Sequence, residues 1–184
     1  VRLRYLVALV TIVAMSLAPA AGGWAKHPSL NEVASWLAGK PVKVRCLDAF
    51  ESSRDVLISF WGASAYVEFE TDGFGHRLGP KDYTVVAHPI CDDLLSHEGP
   101  PTQEYVWAVF VIVHESGHLR GKSFPLWFDE GSVNCWALRR SAAVAQIKFG
   151  LDPLEVPEFN RIIWRIYLGQ PDEYNRSECK LPPA

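Results

Sequence analysis

The segment that most restricts how this chain can fold runs from Thr102 to Gly121. Positions 103–120 contain no proline, and 105–113 are apolar without interruption. A helix that is apolar on every side has no face to offer water, so the rest of the domain must surround it. Thr102 can cap its start and Gly121 can end it. The β-branched content of 105–113 would also suit a strand, but the next residues decide for helix. His114 and His118 stand four apart, and helical geometry brings residues i and i+4 onto one face.

The elements around this helix predict an α+β domain. Ser29 and Glu32 have the spacing of a capping box, opening a helix with Val33, Trp36 and Leu37 on its apolar face and Gly39 at its end. Strand character follows at 42–46, 56–60, 65–69 and 83–87, while 71–80, with three glycines and a proline, reads as a turn or exposed loop. A short helix is expected over 91–95. Beyond the central helix, long helices are expected over 127–149 and 157–168, and the tail from Pro171 is polar. With 48% hydrophobic residues, positions 21–184 suit one domain with a single core.

Residues 1–20 read as a signal peptide: Arg2 and Arg4, an apolar run from Tyr5 to Leu17, then small residues at Ala18 and Ala20. The run is shorter than the ~20 apolar residues of a membrane span, so no stable span is expected after cleavage; an uncleaved anchor is the alternative. Cleavage would remove two arginines and no acids, taking the net charge from −3 to −5. There is no basic stripe of the kind that points to nucleic acid. Export gives the four cysteines a meaning, because in an oxidising compartment they form disulfides, and none are spaced as a thiolate zinc site. A Cys135–Cys179 bridge would pin the helix after the histidines to the tail, leaving Cys46 to pair with Cys91.

Two imidazoles one helical turn apart can bind one tetrahedral zinc ion (Zn2+), and His114-Glu115-Ser116-Gly117-His118 carries a carboxylate beside them. Zinc lowers the pKa of a bound water to about 7, and Glu115 would be the general base that takes its proton. A third ligand and an open position complete such a site. One zinc family continues the motif as His-x-x-Gly-x-x-His. Gly121 stands at its glycine, but Phe124 occupies the last position and cannot bind metal. In thermolysin-like enzymes the third ligand is instead a glutamate on a later helix, with a supporting polar residue four positions on. Glu130 and Asn134 have that spacing, making Glu130 the expected ligand and Asn134 a partner that would orient His114 or His118. Asp129 is the alternative ligand, although it is better placed to cap the helix or pair with Arg120 or Lys122.

His-Glu-Ser-x-His-Leu-Arg-Gly, followed by Asp-Glu-x-x-x-x-Cys-x-Ala-Leu, resembles a group of small exported bacterial proteins, many actinobacterial, classed as zinc metallopeptidases of the thermolysin-like (gluzincin) type. The match covers 114–138 strongly and the Cys91 neighbourhood more weakly. The resemblance implies a minimal zincin-like fold, with a small β-sheet packed on the buried helix and a ligand-bearing helix after it. It supports Glu115 as base. Members of the group usually carry an acid where Asn134 stands.

His88, near Cys91, could donate to an oxyanion, although a structural role at a strand end is the simpler expectation. Tyr167 and Tyr174 are further oxyanion candidates for which packing is the better expectation, and Trp127 and Trp136 flank the ligand helix as possible shields. The leading expectation is peptide-bond hydrolysis on a peptide or protein substrate. The alternatives are an exported zinc-binding module without catalysis and a zinc amidase acting on the cell envelope.

Overall fold

The computed structural model describes residues 29–55, 57, 63–74, 77–121, 128–174 and 179. Residues 1–20, where a signal peptide is expected, Trp127 and, apart from Leu57, the strand expected over 56–60 lie outside them. Helix α1 (Leu30–Ala38) starts at the expected capping box and ends at Gly39, whose φ of 71° suits a residue without a Cβ. Strand β1 (Lys43–Cys46) follows, then an additional short helix, α2 (Ala49–Arg54). Its signal was a second capping box, Asp48 with Glu51.

Strands β2 (Ala65–Thr71) and β3 (Arg77–Val86) form a hairpin, and β1 adds in parallel to the far side of β3, giving a three-stranded mixed sheet in the order β1-β3-β2. The loop expected over 71–80 is therefore shorter, because Gly79 and Pro80 belong to β3 and pair with Glu70 and Phe69. Pro80 is tolerated because β1 reaches only Tyr83 to Val86, so at Pro80 β3 pairs with β2 alone among the described strands.

Helix α3 (His88–Ser96) begins three residues before the expected start, with Pro89 in its first turn. Helix α4 (Gln103–Leu119) matches the expected central helix, and the Thr102 hydroxyl accepts from Tyr105 N–H at 3.2 Å. Tyr105, Val106 and Ala108–Val113 are all buried, enclosed by α1, α3, β2, β3 and the helices that follow. Each fully buried Val, Ile or Phe contributes about 1.5–3 kcal/mol, so α4 is the main apolar contributor to the core.

The long helix expected over 127–149 is instead two, α5 (Glu130–Leu138) and α6 (Ser141–Phe149). The break is local chemistry: Arg140 N–H turns early onto the Ala137 carbonyl, and Ser141 Oγ takes the same oxygen at 2.9 Å. After a 3-10 turn at Pro153–Glu155 comes α7 (Val156–Leu168), close to its expected range, followed by a second 3-10 turn at Asp172–Tyr174. Both disulfides join the expected pairs. Cys46–Cys91 ties β1 to α3, and Cys135–Cys179 ties α5 to the tail. No described helix is long and apolar enough to cross a membrane.

Candidate metal centre

Helices α4 and α5 together build a three-atom cluster. Nε2 of His114 and Nε2 of His118 lie 3.0 Å apart, and Oε2 of Glu130 stands 3.1 and 3.3 Å from them. Tetrahedral ligand atoms at zinc-like bond lengths are about 3.3 Å from one another, so this near-equilateral triangle has the size of one coordination face. These three residues could hold a metal ion. Two nitrogens and one carboxylate oxygen are a donor set suited to a borderline-soft divalent cation.

The histidine rings are held by apolar neighbours. Phe110 lies 6.2 Å from the His114 ring, and Phe69 meets His118 edge-on at 6.3 Å. His114 Nδ1 is buried and has no hydrogen-bond partner among the described residues. Burial by itself raises the Glu130 carboxyl, but hydrogen bonds from the two imidazoles outweigh it and hold the group well below the usual carboxylate range. Glu115 is also buried. Burial pushes its carboxyl above the ordinary value, while His114 and His118 pull against this and Glu130 reinforces it.

All four side chains line an open cleft of about 630 Å³. One wall is β2, with Ala65, Val67 and Phe69; the floor is α4; Asn134, Gln170 and Tyr174 close the far side. β3 pairs with one side of β2 and no described strand pairs with the other, and β2 residues from Ala65 to Phe69 line the cleft.

The other candidate residues lie outside this triangle of donor atoms. Asp129 stands outside the three-residue cluster and caps α5, its Oδ1 accepting from Ser132 N–H at 2.7 Å. Asn134 is buried at the cleft, yet its Nδ2 donates to the Tyr174 carbonyl at 3.1 Å, so it holds the tail rather than orienting His114 or His118. The next residue, Cys135, is bridged to Cys179, so both Tyr174 and Cys179 are held at α5. His88 does not line the cleft. It opens α3, with its N–H on Ser52 Oγ and its ring 3.2 Å from Asp92. Tyr167 is core, whereas Tyr174 reaches the cleft wall. Trp136 faces away from the metal group, between Arg120 and Arg140. Trp107 does line the cleft, and its position seven residues before His114, on the same helical face, was a legible signal.

Gly117 explains how α5 comes close enough. A Cβ there would stand 2.8 Å from Val133 Cγ1 and 3.2 Å from Trp136 Cε3, so the helices cross over bare backbone. Gly117→Ala gains about 1 kcal/mol of helix propensity but incurs overpacking of about 1–3 kcal/mol. It is expected to weaken metal binding by about tenfold or more, because α5 must move and carries Glu130 with it. A metal titration beside a melting curve checks this, and unchanged affinity would show that the crossing does not set the ligand position.

Compared with known proteins, the chain matches no family model, no curated protein and no solved structure.

Proposed function

We propose that this chain is an exported zinc metallopeptidase with a minimal zincin-like fold, in which His114, His118 and Glu130 hold the ion and Glu115 is the general base. The observation that carries this reading is the 3.0–3.3 Å triangle of donor atoms set in the floor of an open cleft that Glu115 also lines. The resemblance of 114–138 to exported zinc metallopeptidases supports it, and two disulfides are compatible with an extracellular setting.

Zinc in such a site supplies Lewis acidity, lowering the pKa of a water to about 7 and polarising a carbonyl. The chain's own residues do the remainder. The Glu115 carboxylate takes the proton from the attacking water and returns it to the leaving amine. The edge of β2 that pairs with no described strand offers backbone N–H and C=O groups to an extended peptide, the main-chain recognition that β-strand addition uses. Phe69, Phe110 and Trp107 give the cleft apolar walls that strengthen its electrostatics.

The test is metal removal and return. The purified protein should bind about one zinc per chain, and at zinc about a hundredfold over the dissociation constant it should gain about 2.7 kcal/mol. For a chain of this size that raises the melting temperature by about 5–10 °C. Hydrolysis of a peptide library should vanish with a chelator and return with zinc. A folded protein that ignores zinc sinks the reading; zinc binding without turnover in any condition leaves a metal-binding module.

A further inference from the structure

A second cavity of about 390 Å³ adjoins the metal cleft, sharing Trp107 and Gln170 with it. One stripe of α4 floors both: Gln103 and Trp107 under the second, Trp107, Val111, His114 and His118 under the first. These positions recur every three or four residues, as one helical face requires. At about 1.5 Å of rise per residue, Gln103 lies about 16 Å along the axis from His114, a span that an extended peptide covers in about five residues.

The second cavity has a distinct chemistry. Trp107, Ile162 and Ile166 are apolar walls, Gln103 and Gln170 supply amides, and Arg165 supplies a cation; no acid lines it among the described residues. The nearby carboxylate of Glu158 is engaged by both Nε and Nη2 of Arg161. No described carboxylate forms a salt bridge with the Arg165 guanidinium: Glu158 interacts with it only at longer range, its carboxylate being held by Arg161. Cation, amides and apolar walls together match a terminal carboxylate carrying an apolar side chain.

The sheet supplies the direction. Trp107 Nε1 donates to Ser64 Oγ at 3.2 Å just before β2 begins, and Phe69 near its other end meets His118. β2 therefore runs from the Arg165 cavity toward His118. A peptide added antiparallel to it, the commoner pairing, points its C-terminus at Arg165.

Building on the peptidase reading above, we propose that the Arg165 cavity receives the free C-terminal carboxylate of a substrate peptide lying along β2. Arg165 then determines specificity, placing the cut about five residues from a free C-terminus.

The experiment uses a synthetic octapeptide library made as free acids and as C-terminal amides, passed over immobilised, zinc-loaded Glu115→Gln protein and quantified by mass spectrometry. Acids should be retained about tenfold over their amides, the ratio falling to about one in Glu115→Gln/Arg165→Gln and persisting in Glu115→Gln/Arg161→Gln. A ratio near one with Arg165 intact, a preference that survives Arg165→Gln, or retention of neither form overturns the proposal. Wild-type digestion of the same library reports separately on the peptidase reading: no cleavage speaks against hydrolysis while the retention ratio stands on its own.

Discussion

Glu115→Gln is expected to leave zinc bound and to lower turnover by about 10²–10⁴-fold, the usual contribution of a positioned general base. The substitution keeps the size of a buried side chain and removes only its ability to take a proton. Neither ligand triangle nor α4 packing depends on that charge, since the three donor atoms belong to His114, His118 and Glu130. Burial already opposes the ionised form of Glu115, so losing the charge does not cost the fold. Steady-state kinetics on a peptide released by the wild type, with zinc content measured on the same samples, checks both halves. Wild-type turnover in a fully zinc-loaded variant would remove Glu115 from the reaction.

The second large effect is expected at Glu130. Loss of a residue that only supports a ligand typically weakens metal affinity by about 10–100-fold, so Glu130→Ala, which removes a donor atom itself, should exceed about 100-fold. The neighbouring acid supplies the control. Asp129→Asn keeps an oxygen that can accept from Ser132 N–H, so α5 should still start at Glu130 and the metal should stay. Competition titrations with a zinc indicator separate the two. Strong loss in Asp129→Asn with little in Glu130→Ala would reverse the ligand assignment drawn from the 3.1 and 3.3 Å contacts.

These expectations draw unequally on sequence and structure. The central helix was legible because its determinants are local: a threonine cap, an unbroken apolar run and two histidines at helical spacing. Glu130 was singled out by its four-residue spacing to Asn134 in a thermolysin-like pattern, and the structure brings it beside the two histidines. The extension of β3 through Pro80 was not, because a proline is acceptable in a strand only where a neighbour is missing, and strand order is a long-range property. The division between α5 and α6 lay in one serine side chain competing for a helical carbonyl, which periodicity over 127–149 does not register.

The i, i+4 relation of Glu130 and Asn134 correctly placed both at the cleft, yet it could not say what Asn134 would meet there. That partner, the Tyr174 carbonyl, is 40 residues away, in a tail whose Cys179 is bridged to Cys135. Gly117 shows the same division inside the motif itself: its spacing is that of any residue between two histidines, while the need for glycine comes from Val133 and Trp136 pressing on it across the helix crossing. Residue type and helical spacing determined which donor atoms this protein can bring to a metal. Packing between elements distant in the chain decided how close α5 comes, what Asn134 meets, and that Arg165 lines a cavity beside the cleft, because such contacts follow from excluded volume and covalent closure rather than from local pattern.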